Sequence, residues 1–334
     1  MSSKERPLVV VLGASGFVGT AVTRQFVGRD VRLRLVARRR IIAPTGCRAE
    51  VETLAGDLTQ PGAVAAAVAG ADVVIHLAAH IAGSSTWRVA EGDSSAKRVN
   101  LGVMHEVVAA LRGRQEPPVV VFAGSISQLG EPRGPLITGR EPDEPVTEYD
   151  RHKLAAERAL SEATAAGLVR GVTLRLPTLY GQGIGPSSLE RGVLAAMMRR
   201  AFAGQPLTMW HDGSVARDLL CVDDAARAFV AAVDHADALA GRAWLIGTCL
   251  ATPMGEAFHA VAELVAEVTG DPVVPVVQVE PEHAVTTDLL DFVVGSTEFG
   301  EVTGWAPRVV LREALRGAAE TMLAERAPAP VAVR

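Results

Sequence analysis

Residues 9–19 of the chain read VVVLGASGFVG, and a helix-like segment, residues 20–27, follows them. A continuous apolar run of this kind predicts a β-strand that is buried on both faces. In the turn, Gly13 permits the tight bend, Gly16 lets a pyrophosphate approach the backbone, and Gly19 lets the helix pack closely on the strand. Free amides at the start of the helix would bind phosphate. The stretch therefore predicts a dinucleotide-binding unit with contacts from Gly13, Ser15, Gly16, Phe17, Val18 and Gly19.

The composition is that of an ordinary globular chain, with 334 residues, of which 49% are hydrophobic and 21% charged. The net charge is -5 and the basic residues are dispersed, so the sequence predicts no basic patch that would bind nucleic acid. Cys47, Cys221 and Cys249 are scattered, which is typical of a reducing compartment. Residues 1–6 are polar, and the most apolar stretch, residues 63–82, is interrupted by polar residues. We therefore expect a cytoplasmic protein that engages neither a membrane nor nucleic acid.

Strand-like and helix-like segments alternate through the first half of the chain. Such alternation predicts an α/β fold with a Rossmann-type doubly wound parallel sheet and a smaller C-terminal substrate-binding lobe. After the first strand, further strands are expected at residues 31–37, 51–54, 72–79, 119–123, 172–176 and 244–247. Helices are expected at residues 61–69, 96–112, 148–166 and 189–202. Thr147 is expected to cap the third of these helices, and Asp223 or Asp224 a later one.

The chain divides into two predicted lobes. Residues 1–176 are assigned to the dinucleotide-binding domain, to which residues 218–248 return. Residues 177–217 and 249–323 are assigned to the substrate-binding lobe, and residues 324–334, rich in alanine and proline, to a loose tail. Ligands bind at the carboxyl ends of the strands in a sheet of this kind, so we expect the substrate in the cleft between the lobes.

Tyr149 and Lys153 are four residues apart on a predicted helix, so their side chains project from the same face. An ammonium group beside a phenol favours the phenolate, which would lower the tyrosine pKa and make it a usable acid or base near neutral pH. By spacing alone, an exposed pair on a solvated helix face would be the better interpretation. Ser125 favours catalysis because it ends the predicted fifth strand, where side chains face the cleft. We therefore predict Ser125, Tyr149 and Lys153 as the catalytic residues.

The motifs of this chain, and the order in which they follow one another, resemble those of the extended short-chain dehydrogenase/reductase family. This family includes NAD-dependent epimerases and dehydratases. The resemblance rests on the glycine turn, Asp57, Ser125 and YDRHK at residues 149–153. Two later stretches are similar to the family's nucleotide-sugar branch: LRLPTLYGQG at residues 174–183 and HDGSVARDLLCVDDAARAF at residues 211–229. The family also implies a homodimer, in which two predicted helices of each subunit, residues 96–112 and 149–166, form a four-helix bundle with those of the other.

The resemblance implies roles for individual residues of this chain. Asp57 and the Leu58 backbone would bind the adenine, and Lys153 would bind the nicotinamide ribose as well as Tyr149. Arg217 would grip the diphosphate of the substrate, since a guanidinium presents a fork of donors. The other implied cofactor contacts are Leu77, Ala78, Ala79, Asn100, Tyr149 and Pro177.

Two departures from the family's patterns narrow the reaction. The nucleotide-sugar 4,6-dehydratases carry an Asp-Glu pair directly after the hydroxyl residue, where this chain has Ile126 and Ser127. The epimerase-reductases that make GDP-fucose carry a cysteine next to that residue, which Ile126 also replaces. Simple redox chemistry at a sugar carbon and 4-epimerisation remain.

The residues after the second strand indicate the cofactor. NAD-binding folds place an Asp or Glu there, roughly 20 residues beyond the glycine turn, for the ribose 2′-hydroxyl. This chain has Arg38 and Arg39 instead, which would attract a 2′-phosphate, so NADPH/NADP is the predicted cofactor. A 4-epimerase returns the hydride that it takes and holds NAD throughout, whereas an NADPH enzyme consumes its hydride. The arginines therefore favour a reductase.

Within the family, HLAAHIAGSSTWRVAEGD at residues 76–93 and YDRHKLAAE at residues 149–157 are similar to dTDP-4-keto-6-deoxyhexose 4-ketoreductases. This resemblance implies NADPH-dependent reduction of the C4 keto group of a nucleotide-linked sugar, with Tyr149 as proton donor. A 4-epimerase with tightly bound NAD and a non-catalytic NADPH-sensing regulator stay open as alternatives. His76 and His80 have metal-like spacing without a third ligand, so no metal site is predicted. The candidate substrate contacts are His80, Ser125, Ser127, Thr178, Trp210 and Arg217.

Overall fold

Seven parallel strands form the main sheet of the computed structural model, which describes residues 6–80, 89–134, 136–182, 192–210, 212–280 and 289–326. In chain order the strands of these ranges are β1 (Leu8–Leu12), β2 (Arg32–Ala37), β3 (Glu50–Ala55), β4 (Val73–His76), β5 (Val119–Ser125), β6 (Arg170–Leu176), β7 (Thr178–Tyr180), β8 (Leu207–Met209), β9 (Ala216–Arg217), β10 (Leu219–Cys221), β11 (Ala243–Leu245), β12 (Thr252–Pro253) and β13 (Val276–Gln278). The sheet has the order β11-β6-β5-β4-β1-β2-β3. The predicted doubly wound α/β fold is confirmed.

Helices cover both faces of this sheet. In chain order those of the described ranges are α1 (Phe17–Phe26), α2 (Ala63–Val68), α3 (Ser94–Lys97), α4 (Val103–Leu111), α5 (Glu148–Ala165), α6 (Val193–Phe202), α7 (Val222–Asp234), α8 (Ala236–Leu239), α9 (Met254–Thr269), α10 (Thr297–Thr303) and α11 (Leu311–Arg326). Phe26 of α1 and Phe229 of α7 belong to one buried cluster, and Val64, Met104 and Leu160 of α2, α4 and α5 belong to another. Among these helices none is both long and apolar enough to span a membrane.

The apolar run of β1 follows from the central place of this strand in the sheet. Val9 and Val11 belong to the first of the two clusters, whereas Val10 and Leu12 belong to the second. Because side chains alternate along a strand, a strand covered on both faces must be apolar at every position. The chain winds in opposite directions from the β1–β4 pair, and this switch point opens a crevice for a ligand at the carboxyl ends of the strands.

The predicted helix over residues 96–112 is not one continuous α-helix. A wider π-helical turn, Arg98–Gly102, separates α3 from α4. Asn100 lies in this turn with its side chain buried, and its amide bonds the backbone of His80 beyond β4. Turns of this kind often occur at functional sites because the extra residue redirects a side chain. The interruption was not predicted because the apolar spacing on either side of it is helical.

A third buried cluster lies in the C-terminal half and joins α6, α9 and α11, with Met198, Val261 and Leu315 at its centre. Three two-stranded sheets accompany it, formed by β7 with β10, β8 with β13, and β9 with β12. These elements come mainly from the segments assigned to the substrate-binding lobe. A separate core is what an independent lobe requires. That this lobe holds the substrate stays a proposal.

Two local predictions in this half of the chain are wrong. The N-cap of α7 is Cys221, and the Asp224 carboxylate instead accepts hydrogen bonds from the backbone amides of Arg308 (2.9 Å) and Val309 (3.0 Å). Residues 324–326 belong to α11 rather than to a loose tail, because Arg326 at its end donates to the Phe202 carbonyl at 2.8 Å. The rest of that tail, residues 327–334, lies outside the described residues, as do residues 81–88, 183–191 and 211 of the motifs.

Candidate active site

The glycine turn after β1 is tied by hydrogen bonds to the neighbouring strand β2. The amides of Gly13 and Ala14 donate to the Val36 carbonyl of β2 at 2.9 and 3.0 Å, and Gly13 has a φ of +90°. The first amide that bonds within α1 is that of Thr20, which donates to Gly16. The amides of Phe17, Val18 and Gly19 therefore start the helix with their hydrogens directed out of its end, where a phosphate would accept them.

Gly19 is required by contact with the turn rather than with the strand. A Cβ atom at this position would overlap the carbonyl oxygen of Gly13 and would lie 2.8 Å from the Cα of Ala14. A Cβ atom at Gly13 would lie 2.9 Å from the amide nitrogen of Ala78, just beyond β4. The turn is thus packed tightly against the start of α1 on one side and the segment after β4 on the other.

Arg38 and Asp57, two of the predicted cofactor contacts, lie close together after β2 and β3. The pKa of the Asp57 carboxyl is held below its usual value, chiefly by hydrogen bonds from the amide and hydroxyl of Thr59 and also by the charge of Arg38. Arg38 and Arg39 are exposed, whereas Leu58 is buried, so Leu58 can offer only its backbone to a ligand. Neighbouring strand ends of the sheet therefore bring the predicted adenine and 2′-phosphate contacts to one place.

Asn100 fixes the segment that leaves β4. Its Oδ1 accepts a hydrogen bond from the His80 amide at 2.7 Å, and its Nδ2 donates to the His80 carbonyl at 3.0 Å. Leu77, Ala78 and Ala79, the predicted ribose-side contacts, lie half-buried on that segment. Asn100 therefore holds the shape of this wall of the crevice through backbone bonds. Its predicted support of the nicotinamide half stays a prediction.

Tyr149 and Lys153 lie in the first turns of α5, and both are buried. The Lys153 ammonium donates to the Ala123 carbonyl of β5 at 2.8 Å. It also lies 4.7 Å from the centre of the Phe122 ring and 5.7 Å from the centre of the Tyr149 ring. A cation over aromatic faces is attracted by their electrons. The lysine thus joins α5 to the strand that ends at Ser125.

The predicted lowering of the Tyr149 pKa is wrong for the protein without ligands. Burial raises the pKa of Tyr149 well above its usual value of 10.0, and the negative charge of Asp150 raises it further. Burial also lowers the pKa of Lys153 to about 8. Removing both groups from water disfavours their charged forms, and this effect outweighs their mutual attraction. Tyr149 therefore keeps its proton at neutral pH, as a proton donor must.

Ser125 is connected to α5 by a short chain of hydrogen bonds. Its Oγ lies 2.7 Å from the Oγ of Ser127, which donates to Oδ1 of Asp150 at 2.5 Å. The other oxygen of Asp150 accepts from the hydroxyl of Thr147 at 2.6 Å, which completes the predicted cap of α5. Asp150, which follows Tyr149 in the chain, is thus linked through Ser127 to Ser125 at the end of β5.

A second network, buried beneath Ser125, was not predicted. The Ser125 amide donates to Oε1 of Gln128 at 2.8 Å, and Nε2 of Gln128 donates to Glu157 of α5 at 3.0 Å. Glu157 pairs with Arg175 of β6 at 2.5 Å, and Arg175 also pairs with Asp143 at 2.8 Å. The Ser-x-x-Gln spacing at residues 125–128 is a capping-box signal that pointed to its first bond. No local sequence pattern predicts that Gln128, Glu157, Arg175 and Asp143 contact one another, because they lie far apart in the chain.

The predicted substrate contacts are more widely distributed. Pro177, a predicted cofactor contact, is buried between β6 and β7. Of the predicted substrate contacts, Thr178 pairs with Leu219 in β10, and Trp210 is 39% exposed after β8. The guanidinium of Arg217 donates to the carbonyl oxygens of Ala216 and Leu290 and lies over the ring of Phe292. Thr178, Trp210 and Arg217 come from the segments assigned to the C-terminal lobe.

Asp218, beside Arg217, is a structural residue that sequence reasoning missed. Its buried carboxylate accepts hydrogen bonds from the amides of Thr248 (2.9 Å), Cys249 (3.1 Å) and Val294 (3.2 Å). It therefore holds together three segments around β9 and fixes the backbone that carries Arg217.

His76, one of the two histidines with metal-like spacing, is a core residue. His76 is fully buried beside Phe122, and its pKa is lowered to about 3, first by burial and then by the charge of Lys153. In the described part of the chain, no three His, Cys, Asp or Glu side chains are arranged to hold a metal ion. His76 is thus a neutral core residue beneath the lysine.

The buried lysine leads to a test of stability. Because its pKa is about 8 in the folded protein against 10.5 in an unfolded chain, Lys153 costs about 3 kcal/mol of folding free energy at pH 7. The unfolded chain binds more protons between these two values, so the cost disappears as the pH rises from about 8 to 10.5. We expect Lys153→Met to raise the melting temperature of the cofactor-free protein at pH 7, even with its bond to Ala123 lost. The gain should shrink towards pH 10.

The control is Lys97→Met, at an exposed lysine, which should show neither effect. Thermal unfolding followed by circular dichroism at pH 7 and pH 10 makes the comparison. A Lys153→Met protein that is less stable at pH 7, or whose difference from the wild type does not change with pH, would contradict the assignment of a buried charge.

Comparison with known proteins identifies the family. Residues 9–247 match the model of the NAD dependent epimerase/dehydratase family. The chain is 28% identical over 321 residues to dTDP-6-deoxy-L-talose 4-dehydrogenase (NAD(P)(+)) from Kitasatospora kifunensis, covering 92% of this chain and 93% of that protein. It is 27% identical over 207 residues to D-erythronate dehydrogenase from Cupriavidus necator, a match that covers 59% of this chain and only 62% of that enzyme.

Among solved structures, MoeE5 in complex with UDP-glucose and NAD superimposes with a TM-score of 0.74 and 25% identity, covering 96% of this chain and 99% of that one. The family match spans the glycine turn, the sheet and the residues that meet at the end of β5. The chain therefore belongs to the NAD dependent epimerase/dehydratase family.

Proposed function

We propose that this protein reduces the C4 keto group of a nucleotide-linked 4-keto-6-deoxyhexose, with dTDP as the nucleotide and NADPH as the reductant. The observation that carries the proposal is the buried, protonated Tyr149 of α5 beside Lys153, whose ammonium binds the Ala123 carbonyl of β5. A group of this kind supplies one proton to an oxygen on which negative charge develops. The likeness to a dTDP-sugar 4-dehydrogenase supports the choice of sugar class.

The chain's own residues divide the work of this reaction. The start of α1 would hold the pyrophosphate, Arg38 and Arg39 the 2′-phosphate, and Lys153 the nicotinamide ribose. When bound, the reduced nicotinamide supplies a hydride to the carbonyl carbon. Tyr149 donates its proton to the carbonyl oxygen, and the Lys153 ammonium then stabilises the phenolate that is left.

The high pKa of Tyr149 suits this direction of the reaction. A phenol that stays protonated until charge develops on the substrate oxygen does not lose its proton to the solvent beforehand. The cationic Lys153 favours the phenolate once the proton has moved, and Asp150 opposes it. On the substrate side, Arg217 would bind the diphosphate, and His80, Thr178 and Trp210 would surround the sugar.

A 4-epimerase with tightly bound NAD is the second candidate. It is favoured by the family, which includes epimerases, and by the solved relative that holds UDP-glucose and NAD. The same three catalytic residues serve both reactions, so they do not separate them. The two are distinguished by cofactor balance, because a reductase consumes one NADPH for each product and an epimerase consumes none.

We also propose that two copies of the chain pair through α4 and α5. These helices border a surface groove of about 470 Å³, lined in part by Leu101, His105, Pro145, Leu154 and Ala159. A second copy would cover this partly apolar surface with the same helices. Sedimentation equilibrium at micromolar concentration should give twice the 35.0 kDa of one chain, and a single 35.0 kDa species would refute the pairing.

The first enzymatic test is Tyr149→Phe, which keeps the ring and removes only the hydroxyl. Since general acid catalysis typically contributes about a hundred- to ten-thousand-fold, turnover of a dTDP-linked 4-keto sugar should fall by that order while NADPH still binds. Tyr180→Phe, at the other tyrosine of the chain, is the matched control and should keep turnover within a few-fold. Near wild-type turnover in Tyr149→Phe would end the proposed mechanism. Absence of turnover in the wild type would bring the NADPH-sensing regulator forward.

The cofactor is tested by replacing both Arg38 and Arg39 with alanine. Because only the 2′-phosphate distinguishes the two cofactors, NADPH binding should weaken by about ten- to a hundred-fold, whereas NADH binding should hardly change. Arg112→Ala, at an exposed arginine of another segment, is the control for net charge. Fluorescence titration with each reduced cofactor gives the dissociation constants. If the wild type binds NADH as tightly as NADPH, the assignment of NADPH as the cofactor is wrong.

A further inference from the structure

The hydrogen-bond chain from Ser125 to Asp150 fixes where each hydroxyl proton lies. Asp150 is 4% exposed, and its carboxylate receives the hydroxyl of Ser127 at 2.5 Å, the hydroxyl of Thr147 at 2.6 Å and the amide of Thr147 at 3.2 Å. An ionised carboxylate has no proton of its own and can only accept. The three donors that converge on it match that state.

The position of the Ser127 proton follows from this arrangement. A serine hydroxyl has one proton and two lone pairs, and the proton of Ser127 is directed to Asp150. In its contact of 2.7 Å with the Ser125 hydroxyl, Ser127 can therefore only accept. The single proton of Ser125 must then point along this contact towards the Ser127 oxygen. The Ser127 amide, 3.3 Å from the Ser125 oxygen, adds a donor on the same side.

We propose that Asp150, acting through Ser127, is a positioning residue that turns Ser125 into a hydrogen-bond acceptor towards the substrate. This inference rests on the proposed function for its substrate, but the proton positions do not depend on it. A sugar hydroxyl at C4 can donate to the lone pairs of Ser125. A C4 carbonyl has no proton to give and would need Ser125 to turn away from Ser127.

The consequence for the reaction is a division between the two hydroxyl residues. Tyr149 alone donates to the carbonyl oxygen, and its proton becomes the hydrogen of the new C4 hydroxyl. Once solvent has reprotonated the Tyr149 phenolate, that hydroxyl donates to Ser125, whose own proton stays on its oxygen and is directed to Ser127. Ser125 thus recognises the alcohol rather than the ketone. Breaking the chain at Ser127 would free the Ser125 proton to bind the ketone.

The first experiment needs no substrate. Neutron diffraction from crystals of the deuterated protein locates the deuterium atoms on Ser125 and Ser127. We expect the Ser125 deuterium on the line to the Ser127 oxygen, and the Ser127 deuterium on the line to Asp150. A Ser125 deuterium that points into the cleft, or a Ser127 deuterium that points to Ser125, would overturn the inference whatever the enzyme reduces.

The second experiment measures binding of a dTDP-linked 4-keto-6-deoxyhexose and of its C4 alcohol by calorimetry, with oxidised cofactor present. One freed hydrogen bond should make Ser127→Ala bind the ketone about five-fold more tightly, with binding of the alcohol unchanged. Ser127→Thr keeps a hydroxyl and should restore the wild-type ratio. In a protein that also carries Ser125→Ala, the Ser127 substitution should have no effect on the ratio.

The matched control is Thr147→Ala, which weakens the cap of α5 but leaves the Ser127–Asp150 bond in place. It should lower stability without changing the ratio of ketone to alcohol binding. An equal change in Thr147→Ala and Ser127→Ala would show that loosening of α5 causes the effect, and would overturn the positioning role. If neither sugar binds to the wild type, the proposed function fails, and the neutron result still decides the inference.

Discussion

One carboxylate, that of Asp150, joins the two elements on which the candidate catalytic residues lie. It caps the start of α5 through Thr147 and holds the end of β5 through Ser127, both at distances of 2.6 Å or less. Tyr149 on α5 and Ser125 on β5 therefore cannot shift independently. Beneath them, Gln128, Glu157 and Arg175 tie the same strand and helix to β6. A buried network with its donors and acceptors paired makes such a site rigid.

Burial sets the protonation states at this site, and it does so against the simplest electrostatic expectation. A lysine near a tyrosine lowers the tyrosine pKa in water, but here both side chains have lost their water, and the neutral forms of both are favoured. The folded protein sustains this cost because Lys153 also binds the Ala123 carbonyl and two aromatic rings. The buried lysine thus lowers the stability of the fold, and its burial places a cation close to a phenol that keeps its proton.

Much of the fold was predictable because its signals are local. The apolar run of β1, the glycine turn and the Thr147 cap each lie within a few residues, and the structure confirms them. The Asp218 anchor and the Gln128–Glu157–Arg175 network were not predicted, because each joins segments far apart in the chain. The π-helical turn at Asn100 was not predicted because the apolar spacing on either side of it is helical. The sign of the Tyr149 pKa shift was missed for a related reason, since sequence spacing does not show how deeply a side chain is buried.

The residue that follows Ser125 limits the chemistry of the site. Ile126 is 6% exposed and packs with Leu129, Ile137 and Phe292 in a small apolar cluster. A carboxylate at this position, as in the family's dehydratases, would enter that cluster without a partner at a cost of several kcal/mol, on the order expected for an unpaired buried charge. Ser127, at the next position, is held by Asp150. These two positions therefore carry neither of the two carboxylates that the resemblance assigns to the family's dehydratases.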